Sequence, residues 1–190
     1  AQALIVAAGV QAERTVMVDA HNAARVAFEG VRVPASALIG TSETGAALLE
    51  QVLDVGRATA ASEMLGAADE VFDRTVAYLK ERRQFDRIIG EFQALQHRAA
   101  ELFCDLELTR AIVRQALQAL DQGADNAPLL VAQAKARAGL TAERAVQEGV
   151  QMHGGIGVTD ELDLGFFMKR TRVLQALFGD AKVQMDRAAV

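Results

Sequence analysis

QMHGGIG, residues 151–157, sets three glycines within four positions behind a histidine. Amides without side chains can come close to a phosphate. The same residues can also close a helix, with Gly154 left-handed and Gly155 and Gly157 loosening the turn. A dinucleotide-binding glycine loop is excluded, because it follows a strand, and here a helical pattern comes first. Read alone, the cap is the simpler account. Three glycines exceed what a cap needs, however, and a helix start near residues 159–161 would add its dipole.

ERRQFD, residues 81–86, is the second candidate. Arg82 and Arg83 at a helix C-terminus complement the helix dipole. Their guanidinium forks also suit phosphate oxygens. One pair of arginines leaves both readings open, with the dipole the simpler. His21, His97 and His153 lack metal-ligand spacing, so no metal site is expected. Cys104 stands between Phe103 and Leu106, and it reads as a small buried hydrophobe rather than a nucleophile. Gly-x-Ser-x-Gly, Walker and HExxH motifs are absent. The carboxylates follow helix surfaces and read as solvated faces.

The elements that would position these residues are mostly helical. Residues 1–40 have strand grammar in ALIVAAGV, RTVMVDA and ARVAFEGVRVP, separated by turn-prone GVQAE and DAHNA. Pro34 and Gly40 then take the chain out of the sheet. TGAALLEQVL predicts a short helix, and a long one follows from Asp54 to the Arg82–Arg83–Phe85 segment. The long helix has Met64, Leu65, Ala68, Val71, Phe72, Thr75 and Leu79 on one side. Leu95, Ala99, Leu102, Leu106, Val113, Ala116 and Leu120 define the next. A third is expected to start after Asn126 as N-cap, with Pro128 in its first turn. One or two more follow the glycines. The fold class is therefore mainly α: an antiparallel four-helix bundle over residues 41–190, preceded by a short β remnant over residues 1–40.

The chain has 190 residues and a formal net charge of −5. A nucleic-acid surface would need a basic stripe, and none is present. No apolar run is long enough to span a bilayer. One cysteine fits a reducing, cytoplasmic setting. No signal peptide is read at the N-terminus, which starts inside a strand-like stretch and suggests part of a longer protein.

Taken together and in order, VRVPASALIG, LDVGR, LGAADEVFDRTVAYLKERRQF, FQALQH, VQMHGGIGVTDELDL and ALFGD resemble the acyl-CoA dehydrogenase superfamily over nearly the whole chain. The resemblance implies the end of a middle β-domain plus the C-terminal bundle, with FAD as cofactor. It implies that Arg82, Gln84, Phe85 and Gln93 touch FAD. It also implies that Gln151 to Gly155, Gly154 among them, reach the FAD of a neighbouring subunit, and that Asp54 and Arg57 lie near the thioester end of acyl-CoA. Asp86 stands where the family's glycine follows the phenylalanine. Dehydrogenation needs a carboxylate that takes the α-proton. The family places its glutamate at one of two positions, occupied here by Phe178 and Gly56. Glu50 and Glu63 match neither. The resemblance thus implies a base-less subunit or fragment, inactive alone, in a homo- or hetero-oligomer (a dimer of dimers) with a base-carrying partner. A flavin monooxygenase of the same fold is the alternative, and a structural or interaction domain ranks last.

Overall fold

The computed structural model describes residues 9–189. It divides into two units, residues 1–51 and 52–190. In the first, β1 (Val10–Val16) and β2 (Asn22–Phe28) form an antiparallel hairpin with Val10 opposite Phe28 and Val16 opposite Asn22. GVQAE was expected to turn, yet Val10–Glu13 lie within β1, because pairing with β2 satisfies their backbone. Most of the expected ALIVAAGV strand lies outside the described residues. After β2 the chain leaves the sheet, and a short 3-10 turn covers Ala35–Ala37.

Helix α1 runs unbroken over Gly45–Glu81, so the two helices expected there are one. Asp54 does not cap a new helix. Its carboxylate instead accepts from Arg57 one turn later, which keeps the helix continuous. A tight hairpin of β3 (Arg83–Gln84) and β4 (Arg87–Ile88) reverses the chain. Helix α2 (Gln93–Gln122) follows, closed by left-handed Gly123. Asn126 does hold the N-cap position of α3 (Ala127–His153), but its side chain makes no capping bond. Two further helices, α4 (Leu164–Ala176) and α5 (Ala181–Ala188), complete the unit.

The helices alternate in direction, and the side-chain pairs show it. Phe72 meets Phe103, and Asp69 accepts from Arg110, so α2 runs against α1. Arg98 with Glu148 and Thr109 with Thr141 set α3 against α2. Glu63 with Arg170 and Asp163 with Arg74 set α4 against α1. The surface ion pairs among these contribute at most about 1 kcal/mol each, so they fix register more than stability. Stability comes from the core of Met64, Leu102, Leu106, Val131 and Leu174, packed against alanines of α1 and α3. Each such large side chain contributes about 1.5–3 kcal/mol on burial. Cys104 is exposed rather than buried, because α2 turns Leu102 and Leu106 inward and leaves residue 104 facing out. Among the described residues no helix is long and apolar enough to cross a membrane.

Candidate functional site

The sequence-marked residues fall into two clusters at different heights on α1. From Gly56 to Glu81 the helix axis runs roughly 38 Å at 1.5 Å per residue.

The first cluster lies at the C-terminal end of α1. Phe85 and Asp86 form the hairpin tip with φ of 53° and 61°. Turns of this shape favour Gly, Asn or Asp at their central positions, so Asp86 suits the turn and Phe85 is the strained residue. Phe85 is 85% exposed, although its ring meets Phe92 edge-on at 6.2 Å. Arg82 and Gln93 are both exposed. Gln84 is exposed too, and its amide donates to the Arg83 carbonyl. The end of α3 stands beside this hairpin, because the His153 ring stacks on Tyr78 at 4.4 Å. His153 is buried, with Nδ1 2.7 Å from the Gly149 carbonyl.

The glycines after His153 divide by what the fold asks of them. Gly154 has φ 64° and ψ −138°, a glycine-only region distinct from the left-handed helix expected there. A Cβ on Gly157 would meet the Val150 carbonyl oxygen at 2.5 Å. Gly155 has neither need: its φ is not positive, and a Cβ would meet nothing. Residues 154–158 form a 3-10 turn, and α4 begins only at Leu164, so residues 159–161 offer no helix N-terminus. Gly155→Ala is therefore expected to leave stability within about 0.5 kcal/mol, while Gly157→Ala costs about 2 kcal/mol or more through the carbonyl clash. Urea unfolding of the two variants checks this.

The second cluster joins α1, α3, α5 and the loop before α5. A Cβ on Gly56 would lie 2.8 and 2.9 Å from the edge atoms of the Phe178 ring. The two positions therefore touch across the bundle, with one side chain's room between them. Phe178 is left-handed at φ 60°, and Gly179 follows at 97°. Three buried donors converge on this strained loop. Gln184 donates to the Phe178 carbonyl at 2.8 Å, Lys135 to those of Gly179 and Gln175 at 3.2 Å each, and Arg57 Nε approaches the Phe178 carbonyl at 3.5 Å. Asp54 accepts from Arg57 at 2.6 Å and from Arg187 at 3.3 Å. The nearby carboxylates have other work. Asp54 is committed to its arginines, Asp180 caps α5 at Val183, and Glu63 is gripped twice by Arg170. Burial pushes the Lys135 ammonium down to about 8, with Asp180 opposing and Arg57 reinforcing the shift. Lys135 and Gln184 were not marked in the sequence. A lysine within AQAKARAG looks like any helix-surface cation, and only its burial sets it apart.

The family model for the acyl-CoA dehydrogenase C-terminal domain matches residues 43–189. A probable acyl-CoA dehydrogenase of Bacillus subtilis, YngJ, is 32% identical over 169 residues, which cover 88% of this chain and 44% of that protein. Butyryl-CoA dehydrogenase from Megasphaera elsdenii superposes with a TM-score of 0.91 at 26% identity, over 97% of this chain and 49% of that one. A variant of the Tcur3481-Tcur3483 steroid ACAD superposes at 0.84 with 29% identity, again over 97% and 49%. The chain thus spans about half the length of the relatives it matches. Its bundle, hairpin and glycine turn belong to the acyl-CoA dehydrogenase family, of which this chain carries the C-terminal domain.

Proposed function

We propose that the chain is part of a cytoplasmic FAD-dependent acyl-CoA dehydrogenase assembly and serves there as the subunit without a base. The observation that carries this reading is the Phe178–Gly56 contact. Both family base positions meet there, and neither holds a carboxylate. In the family reaction a carboxylate takes the α-proton of the acyl thioester, and FAD, when bound, accepts the β-hydride. This chain's own residues at the position are an apolar ring and a bare α-carbon. The base then comes from a partner subunit whose own 178-equivalent or 56-equivalent position carries glutamate. The steroid ACAD of the comparison is itself described by two components, which supports a heteromeric arrangement here.

The cofactor residues fit an extended phosphate-bearing ligand. Gly155 is a glycine the fold does not need, Arg82 is an exposed guanidinium, and Phe85 is an aromatic ring presented to solvent on a strained turn. Strain and exposure of this kind cluster where something binds. Arg82, Gln84, Phe85 and Gln93 would hold one stretch of FAD, and Gln151, Gly154 and Gly155 would reach the FAD of a neighbour. Asp54 and Arg57 would frame the thioester end from the far cluster. Because the two clusters stand roughly 38 Å apart along α1, one chain would serve two different sites, which fits an oligomer such as a dimer of dimers. Residues 1–40 would be the end of a larger β-domain. A two-stranded hairpin alone is marginal, and Val16 and Phe28 are exposed on this one.

The test is to purify the full protein alone and together with its genomic neighbour, then add acyl-CoA. Flavin bleaching is expected only in the mixture. Bleaching by the protein alone would sink the base-less reading. Absence of flavin from both preparations would leave a structural role. Oxygen-dependent turnover with reduced flavin would favour the monooxygenase.

A further inference from the structure

The family reading leaves one costly feature without a task. Lys135 is 1% exposed in the middle of α3, among the alanines of the helix core. A buried ammonium is unfavourable unless something specific is gained from it. Among the described residues it makes no ion pair. Its Nζ instead bridges the last turn of α4, through the Gln175 carbonyl, and the loop before α5, through the Gly179 carbonyl. Those carbonyls flank Phe178. Gln184, 0% exposed, ties the Phe178 carbonyl from the other side.

We propose that Lys135 is the positioning residue for position 178, a latch that ties the Gly179 carbonyl to the end of α4 and so holds whatever side chain stands at 178 against Gly56. The importance of that position rests on the reading above; the latch itself does not. Phe178 is a non-glycine residue at φ 60°, a conformation that costs about 1–2 kcal/mol and persists only when its surroundings over-determine it. Three donors from three helices on two neighbouring carbonyls supply that. When the loop lifts, Lys135 meets water through the surface cavity of about 190 Å³ beside it, which Gly139, Glu143, Gln175 and Asp180 also line.

The latch has a proton-linked signature. The charged groups around Lys135 are Asp180 and Lys182 from the α5 side, Arg57 from α1, Arg172 from α4 and Glu143 from its own helix. Closed, Lys135 titrates near 8; open, it returns towards its ordinary 10.5. Below pH 8 the lysine is charged in both states, and opening is at its most frequent. Above pH 8 the closed form is neutral while the open form still takes up the proton, so opening becomes rarer, by up to about tenfold per pH unit until both forms are neutral.

Quench-flow hydrogen exchange of the full protein reads this without flavin or substrate. The Leu177 and Gly179 amides are hydrogen-bonded to Val173 and Ala176, so their exchange reports opening. After correction for intrinsic exchange, their protection is expected to be flat to pH 8 and to rise at least tenfold by pH 10. Lys135→Met should abolish the rise and leave these amides at least tenfold less protected at pH 10, with α2 unchanged. If Lys135→Met does not fold, Lys135→Gln should give the same flat profile. A flat profile in the unmutated protein, or a rise that survives in either variant, overturns the proposal. The base-less reading is judged separately by acyl-CoA bleaching, so each can fail alone.

Discussion

Gly56→Glu is expected to destabilise the bundle by about 2–4 kcal/mol and to restore no dehydrogenation, whereas Phe178→Glu is expected to keep the fold and introduce proton abstraction. The difference follows from the contact between the two positions. Carbon atoms pack at about 3.5–4.0 Å, and a Cβ at residue 56 would meet the Phe178 ring at 2.8 Å. Replacing a mid-helix glycine with a residue bearing a Cβ ordinarily gains about 1 kcal/mol, so a loss here isolates the clash. Phe178 is different, since its strained φ is held through backbone carbonyls, and a glutamate inherits the same backbone. The ring is half-buried, so its removal costs about 1–2 kcal/mol, less than a full core truncation. Gly56→Glu combined with Phe178→Gly should fold again, because the second change opens the room the first one needs. Urea unfolding checks the stabilities, and flavin bleaching by acyl-CoA in the assembled protein checks the chemistry. If Phe178→Glu folds, retains flavin and still shows no bleaching, the missing carboxylate is not the only defect.

Those two positions also show how far the sequence could be read. Helical periodicity was plain, because Met64, Leu65, Ala68 and Val71 in α1 and Leu102, Leu106 and Val113 in α2 recur at helical spacing, and all are buried. The break expected before Asp54 was not real. TGAALLEQVL and the stretch from Asp54 read as two helices, and only the structure shows one continuous helix with the Asp54 carboxylate turned to Arg57 inside it. Cys104 misled for a related reason. Its neighbours are apolar, but burial depends on the helical angle, and residue 104 points away from the side that Leu102 and Leu106 share. The clusters were legible as motifs, but their spatial relations were not. That Gly56 faces Phe178 across 122 positions of chain is a tertiary fact without a local signal. Lys135 was invisible for the opposite reason: its chemistry lies in being buried, and lysine in an alanine-rich helix ordinarily means surface.

The glycine turn shows how structure refines an ambiguous motif. Capping and ligand approach both fitted QMHGGIG as a string. The fold assigns capping to Gly154 and close packing to Gly157, and leaves Gly155 over. Among the three glycines, Gly155 is the one the fold does not itself require, and there the proposed binding role has most purchase.

Asp54→Ala is expected to cost about 3–5 kcal/mol, against at most about 1 kcal/mol for Glu70→Ala in the exposed pair with Arg74. Both carboxylates sit 2.6 Å from an arginine on the same helix, so distance does not separate them. Burial does. The side chains of Asp54 and Arg57 are 8% and 7% exposed. Removing the carboxylate takes the 2.6 Å ion-pair partner from a guanidinium that is largely shielded from water. A domain of this kind holds roughly 5–15 kcal/mol in all, so the loss approaches the threshold of folding. Replacing both partners with apolar residues of similar volume, Asp54→Leu with Arg57→Met, should recover most of it, because the buried pair is then removed as a whole and only the more exposed Arg187 loses a contact. Urea unfolding of the single and double variants measures the cycle, and a single-variant cost as small as that of Glu70→Ala would show that Arg57 finds water after all. The recovered double variant should still exchange its Leu177 and Gly179 amides faster than the unmutated protein. Arg57 is one of the donors that approach the Phe178 carbonyl, and no apolar side chain replaces that. Stability would return without the fixed loop, which would separate what the ion pair does for the bundle from what it does for position 178.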